Sequence, residues 1–333
     1  MSVRDLSIGF RTKAGLARAV KGISFDIARG EILGLVGESG CGKTVTALAM
    51  MGLLPGNSQV TGVLEFDLED IVKMNEEEVR KLRGDEISMV FQEPLTSLNP
   101  LWKVGRQIDE NLQMHTDLDR KARFARVVEL INDVGLPDPE RLYHKYPHEL
   151  SGGMRQRIAI AIAIACRPKL IITDEPTTAL DVTIQAQILE LLKKINDETG
   201  SSVIFISHNL DLVREICSSV CVMYAGFIVE KSPVEVLFSR PDHPYTIGLM
   251  KAIPRRESKG KKLTDIPGKV PSINDRLPGC PFEPRCSYAF ERCRAEIPRF
   301  VSLSDDHYSM CFLAGESRSN TPRLKPGACK SSI

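Results

Sequence analysis

The stretch Gly37-Glu38-Ser39-Gly40-Cys41-Gly42-Lys43-Thr44 decides the reading of this chain. It follows an apolar run, Ile32 to Val36, and precedes a helix-forming stretch from Val45 to Leu54. Strand, glycine loop and helix, with the spacing G-x-x-x-x-G-K-T, form the context of a phosphate-binding P-loop. The glycines let successive backbone N–H groups turn inward onto an anion. The helix N-terminus adds its partial positive charge. Lys43 is expected to reach the β- and γ-phosphates of a nucleotide, and the Thr44 hydroxyl to ligate Mg²⁺.

The bulk numbers narrow the field. A chain of 333 residues has room for one large domain and a smaller one. With 42% hydrophobic and 26% charged residues it reads as an ordinary globular protein. A net charge of +1 leaves no electrostatic footprint for nucleic acid or an anionic membrane. No apolar run approaches the ~20 residues of a membrane span, and Met1 leads almost directly into a strand pattern instead of a secretory signal. The expected location is the cytoplasm, free or held at a membrane by a partner. Nine cysteines in that reducing compartment do not read as a disulfide framework.

Working outward, Ile23, Phe25 and Ile27 alternate with polar residues, as do Leu64, Phe66 and Leu68, and Val3, Leu6, Ile8 and Phe10 read as a paired strand. An antiparallel β layer beside the P-loop core follows. Ile87 to Phe91 is a buried-strand run ending at Gln92, and residues 104 to 135 read as helices. Ser151 caps a further helix running to Ala165. Leu170 to Thr173 is a short strand closed by Asp174-Glu175, Val203 to Ile206 another ending at Ser207-His208, and Val220 to Glu230 a hairpin. Ser232-Pro233-Val234-Glu235 reads as a capping box. Beyond Ile253 the texture turns basic, then rich in proline and cysteine, and residues from about 314 onward read as disordered.

Two later motifs carry chemistry. Asp174 closes an apolar strand, the place for a carboxylate that holds Mg²⁺ through its water shell, and Glu175 is placed to polarise an attacking water. Leu150-Ser151-Gly152-Gly153-Met154-Arg155-Gln156-Arg157 makes a second anion-binding helix terminus. One nucleotide does not need two cradles in one chain. The economical reading is that this second one meets the γ-phosphate held by another subunit.

With these motifs in place the chain resembles the ATP-binding subunits of ABC transporters over residues 3 to about 253. The resemblance implies an α/β P-loop NTPase fold (an ABC ATPase) with an antiparallel β subdomain and a helical subdomain at about 93–165. It makes Gly37 to Thr44 the Walker A motif, cradling ATP with Gly37, Ser39, Gly40, Cys41, Gly42, Lys43 and Thr44. Gln92 becomes the Q-loop residue that touches Mg²⁺ and the attacking water. Leu150 to Met154 become the signature, whose Ser151, Gly152 and Gly153 meet the nucleotide, with Met154 where many members have Gln. Asp174 ends Walker B, Glu175 is the catalytic glutamate, Ala179-Leu180-Asp181 the D-loop and His208 the switch histidine. Phe10 falls where an aromatic stacks on adenine, or it is a core strand residue; both readings stand.

The runs Phe91 to Pro100, Gly152 to Arg157, His243-Pro244-Tyr245-Thr246 and Gly279 to Cys286 are similar to the oligopeptide/dipeptide importer branch. That branch also imports nickel, glutathione and some oligosaccharides. The resemblance implies a second, homologous ATPase in a heterodimer, two transmembrane permeases, an extracytoplasmic solute-binding protein, and a peripheral place on the cytoplasmic face of the cell membrane. A soluble ABC ATPase acting on nucleic acid is the competing class, but no coiled-coil insert, tandem half or basic face is visible.

The expected organisation is an ATPase domain at 1–253, a small Cys-rich C-terminal extension at 254–313 and a tail at 314–333. Cys280, Cys286, Cys293 and Cys311 are spaced C-x5-C-x6-C-x17-C, which matches no common zinc ribbon or ferredoxin pattern. A small proline-rich segment needs a staple, and in the cytoplasm a metal is the more natural one. Members of the branch with this cysteine arrangement carry a [4Fe-4S] cluster, so the resemblance implies one. Zn²⁺ (with or without His307), a redox sensor, and no metal at all remain open alternatives.

Overall fold

The computed structural model describes residues 1–92, 97–178, 180–252, 266–275 and 277–314. The chain opens with β1 (Ser2–Thr12) and β2 (Gly15–Asp26), antiparallel, with Leu6 opposite Ile23 and Val3 opposite Phe25. β3 (Ile32–Val36) then departs into a second sheet and delivers the P-loop to α1 (Lys43–Met50). The chain returns as β4 (Ser58–Phe66) and β5 (Glu69–Asp70), completing a sheet ordered β2-β1-β4-β5. The expected strand residue Leu68 lies outside it. Asp67 and Leu68 turn with φ of 46° and 73°, and Leu68 is 90% exposed. Phe66 pairs with Glu69 across that turn, so the chain reverses where the alternation alone predicted continuation.

α2 (Glu76–Leu82) begins with a capping box: Asn75 accepts from the Glu78 N–H and Glu78 from the Asn75 N–H. β6 (Ile87–Val90) follows, and then a helical layer of α3 (Val104–His115), α4 (Arg120–Asp133), α5 (Pro139–Tyr143) and α6 (Gly152–Ile164). Val127, Leu130 and Ile131 on α4 are fully buried, as their helical spacing predicts. Gly135 closes the segment with φ of 71°.

The second sheet receives β7 (Leu170–Asp174), β8 (Ser202–Ser207), β9 (Ser219–Tyr224) and β10 (Phe227–Pro233). α7 (Val182–Thr199) precedes β8, and α8 (Leu210–Ile216) connects it to β9. After α9 (Val234–Ser239), α10 (Pro244–Ala252) and α11 (Glu291–Ala295) come the edge strands β11 (Val301–Ser304) and β12 (His307–Ser309). The order is β11-β12-β10-β9-β3-β8-β7-β6, with β9, β3, β8, β7 and β6 parallel. The β9–β10 hairpin turns at Ala225-Gly226, both at positive φ, as a tight turn between twisted strands requires.

The parallel strands are apolar on both faces because both are covered. Ile32, Val36, Val203 and Phe205 join the cluster under the helices, whereas Leu33, Leu35, Ile204 and Ile206 join the one shared with α1 and the antiparallel sheet. Each such side chain contributes roughly 1.5–3 kcal/mol by leaving water. The sheet is thereby locked between two layers, and its strand ends become a rigid rim.

A second local expectation is corrected. Ser232 belongs to β10 and does not cap a helix: Pro233 is the N-cap residue, and the Ser232 hydroxyl donates to its carbonyl at 3.0 Å. The late segment is stitched to the main sheet, with Glu230 opposite Ser309 and Lys231 opposite Tyr308. Buried Phe282 packs on Tyr224 and Tyr245. Ala179, the basic stretch 255–262, and the tail from 315 with Cys329 lie outside the described residues.

Candidate functional site

The P-loop leaves the C-terminal end of β3, and Asp174 and His208 stand at the corresponding ends of β7 and just past β8, the rim where open α/β sheets bind ligands. Gly37, Gly40 and Gly42 have φ of 153°, 80° and 110°. At Gly37 a Cβ would overlap the Met223 carbonyl oxygen and come within 2.8 Å of Cys41 Sγ, so only glycine fits. Lys43 is 5% exposed, and its ammonium donates to the Gly37 carbonyl at 2.7 Å and the Glu38 carbonyl at 3.2 Å. Cys41 is wholly buried, so its thiol faces the core; burial raises its pKa.

A cleft of about 450 Å³ is lined by Gly37, Glu38, Ser39, Gln92, Glu175 and His208. At its wall Glu175 adopts φ of 48°, held by its N–H bond to the Ile206 carbonyl at 3.0 Å. Its Oε2 accepts from Gln92 Nε2 at 3.1 Å and from the Thr178 hydroxyl at 3.0 Å, and lies 3.1 Å from His208 Nδ1. Three motifs separated by scores of residues therefore meet on one carboxylate oxygen. Behind it Asp174 is 3% exposed, hydrogen-bonded to Thr44, and its Oδ1 has no partner. Burial raises its pKa; the Thr44 hydroxyl opposes that, the charge of Glu175 adds to it, and Lys43 lowers it. An orphaned buried carboxylate oxygen beside a threonine hydroxyl fits Mg²⁺ and its water shell.

Other predicted residues lie apart from this cleft. Phe10 is half-buried against the apolar cluster beneath β1 and does not line the cleft. Ser151 caps α6, accepting from the Met154 N–H at 3.3 Å, with Ser151 and Gly152 exposed. Asp181 caps α7 by accepting from the Ile184 N–H at 3.0 Å. Neither Ser151, Gly152, Gly153 nor Asp181 lines the cleft. A larger cleft, about 790 Å³, opens at the other end of the strands among Asp26, Glu31, Asp67 and Lys231. It lacks the glycine cradle, so size is the poorer guide here.

Cys280, Cys286, Cys293 and Cys311 converge on one cavity of about 10 Å³, together with His243, Phe282 and Tyr288. That is room for about one water molecule. Burial pushes the Cys280 thiol up to about 11, and Cys286 and Cys293 add to the rise against backbone N–H bonds that lower it. Zn²⁺ with His307 is not borne out. His307 Nε2 is engaged with buried Glu230 at 3.0 Å, and among the described residues no group of three or more His, Cys, Asp or Glu lies close enough to hold a single metal ion.

Sequence reasoning missed Thr178, Glu38, Tyr245 and Arg285 as members of the site. Glu38 and Arg285 are 247 positions apart and meet in a two-armed ion pair, which no local pattern announces.

A glycine cradle at the rim of a two-sided parallel sheet, with a buried carboxylate and a triply contacted glutamate, defines a nucleotide-hydrolysing ATPase cassette. Comparisons with known proteins agree. Residues 20–178 match the ABC transporter family model, and residues 229–293 match the oligopeptide/dipeptide transporter C-terminal region. The chain is 45% identical to the oligopeptide transport ATP-binding protein OppD of Haemophilus influenzae, over 95% of this chain and 98% of that one. It is 46% identical to the dipeptide transport ATP-binding protein DppD of Escherichia coli, over 93% and 95%. Among solved structures it resembles a dimeric ATP-binding cassette, MJ0796, bound to ADP and Pi, with TM-score 0.62 and 26% identity over 70% of this chain and 98% of that one. The chain belongs to the family of ABC transporter ATP-binding subunits, in its oligopeptide/dipeptide branch, and is an ATPase. Among the described residues no helix is long and apolar enough to cross a membrane.

Proposed function

We propose that this chain powers an importer of di- and oligopeptides by binding and hydrolysing ATP at a site that a second ATPase completes. The observation that carries the reading is the split in its motifs. Gly37, Ser39, Gln92, Glu175 and His208 line one cleft, while Ser151 and Gly152 are exposed outside it. In this reading Lys43 and the P-loop N–H groups hold the β- and γ-phosphates, and Thr44, Asp174 and Gln92 order Mg²⁺ and its waters. Glu175 accepts the proton of the attacking water, with Gln92, Thr178 and His208 fixing its orientation. His208 contacts the γ-phosphate. Ser151, Gly152 and Gly153 donate to the γ-phosphate on the partner, and Asp181 lies along the same interface. ATP drives transport because it binds the closed pair more tightly than the open one.

The partners follow from this reading: a homologous ATPase, two permeases, and a solute-binding protein outside the membrane, with this chain on the cytoplasmic face. The peptide solute is supported by what the relatives are named for transporting. The four C-terminal cysteines would be the donors for a [4Fe-4S] cluster; their convergence on one cavity supports this, and seating the cluster requires that cavity, with its room for about one water, to open. The division into an ATPase domain to 253 and a C-terminal region to 313 is part of the proposal.

The test is a pair of variants in the assembled transporter. Lys43→Ala should abolish ATP binding at this P-loop. Ser151→Arg should leave that binding intact and cripple hydrolysis at the partner's site. Equal loss of binding in both would defeat the shared-site reading. A colourless, iron-free product from anaerobic purification would defeat the cluster.

A further inference from the structure

The C-terminal segment reaches into the P-loop. Glu38, second residue of the loop and part of the cleft wall, receives both arms of the Arg285 guanidinium, Nη1 to Oε2 at 2.6 Å and Nη2 to Oε1 at 3.1 Å. The Glu38 backbone is held on both sides. The Glu38 N–H donates to the Tyr245 hydroxyl at 2.9 Å, and its carbonyl accepts from Lys43 Nζ at 3.2 Å. Arg285 is itself fixed: it donates to the Pro267 carbonyl at 2.9 Å, the Ile266 carbonyl at 3.1 Å and the Tyr224 hydroxyl at 3.3 Å. Its side chain is 4% exposed, whereas that of Glu38 is 30% exposed.

A carboxylate in the wall of a cleft meant for polyphosphate is an electrostatic fault. Like charges at short range repel strongly where solvent screening is weak. The fork of Arg285 cancels that charge. We infer that Arg285 is a positioning residue of the nucleotide site, neutralising Glu38 so that the P-loop accepts ATP only when the C-terminal segment is docked. The inference rests on the reading of Gly37 to Thr44 as the ATP cradle. It does not involve the signature, the partner subunit or the cysteines.

The charge logic makes the inference separable from simple tail docking. In the full chain, binding of Mg·ATP, Mg·ADP and AMP is measured by titration calorimetry beside a melting curve for each variant. Arg285→Gln should weaken ATP about ten- to hundredfold, as expected for coupled neighbours. The loss should shrink from ATP to ADP to AMP as ligand charge falls. Arg285→Lys keeps the charge but loses the fork, so it should bind ATP more tightly than Arg285→Gln and more weakly than wild type. Glu38→Gln removes the repelling charge and should bind ATP no more weakly than wild type. The double variant Glu38→Gln/Arg285→Gln should recover most of what Arg285→Gln alone loses.

A lower melting temperature in Arg285→Gln with wild-type affinity in the folded protein would mean that Arg285 only docks the tail, and would overturn the inference. Equal losses for ATP, ADP and AMP would do the same. So would a double variant as weak as Arg285→Gln. Should Arg285→Gln fail to fold, Glu38→Gln and the double variant decide the matter: weaker ATP binding in either refutes the charge argument. Lys43→Ala is the control on the underlying reading. If it binds ATP normally, the cradle is misassigned, an outcome distinct from any Arg285 result.

Discussion

Replacing Asp174 with Asn should make the empty protein more stable while destroying its activity. Asp174 is 3% exposed, and its Oδ1 has no hydrogen-bond partner. A buried, unsatisfied polar atom costs about 1–3 kcal/mol, and more when charged. Part of that is returned by Lys43 and by the Thr44 hydroxyl, which also bonds the side chain. A net gain of about 1–2 kcal/mol on neutralisation is expected, or roughly 1–3 °C in melting temperature for a chain of this size. The pH dependence has a definite sign. The folded-state pKa of Asp174 is raised above its ordinary 3.8, first by burial and then by Glu175. Stability is therefore full below the ordinary value and declines as pH climbs through the raised one. The gap between Asp174→Asn and wild type should be widest well above the raised pKa and should close as pH falls toward the ordinary 3.8. The assay is a thermal melt of both proteins without nucleotide, in EDTA, at each pH. A variant that melts below wild type at pH 8, or a gap that ignores pH, refutes the argument. The same substitution should abolish Mg·ATP hydrolysis, a stability-for-function exchange common at active sites.

Other outcomes follow from the same geometry. Glu175→Gln keeps the shape of the side chain, so phosphate release should slow about 10²- to 10⁴-fold while ATP affinity stays within a few-fold; turnover near wild type would remove Glu175 from the role of base. Gly37→Ala places a Cβ into the Met223 carbonyl and 2.8 Å from Cys41 Sγ. It should cost about 2–5 kcal/mol in urea unfolding, and a loss under about 1 kcal/mol would mean that the loop is looser than it appears. Thr178→Val deletes the 3.0 Å bond to Glu175 Oε2 and should lower kcat without raising the KM for ATP; an unchanged kcat would show that Gln92 and His208 orient the carboxylate alone.

Much of this protein was legible without coordinates. The P-loop, the acidic strand end and the capped glycine helix are local patterns, each read from fewer than ten consecutive residues. Local patterns are what backbone geometry enforces: glycine where φ is positive, serine where a helix begins, continuous apolar runs where a strand is covered on both faces. The strands that failed did so at turns. The alternation through Leu68 looked like strand, yet Asp67 and Leu68 reverse the chain, and periodicity carries no information about where a pair of strands stops. Ser232 looked like a cap because its neighbours fit the motif, but its backbone is already committed to pairing with β9.

The sequence by itself determined the cradle, Gly37 to Thr44, and named the groups that chemistry would need beside it. Only the tertiary structure decided which of them meet. Gln92, Thr178 and His208 converge on one oxygen of Glu175, while Ser151 is left facing outward. Tertiary structure alone brought Arg285 across 247 positions onto Glu38 and tied β12 to β10. The physical reason is the same in each case. Local propensity is written in neighbouring residues, but an ion pair or a strand edge between distant segments depends on how whole layers pack, and no single stretch of sequence encodes that packing.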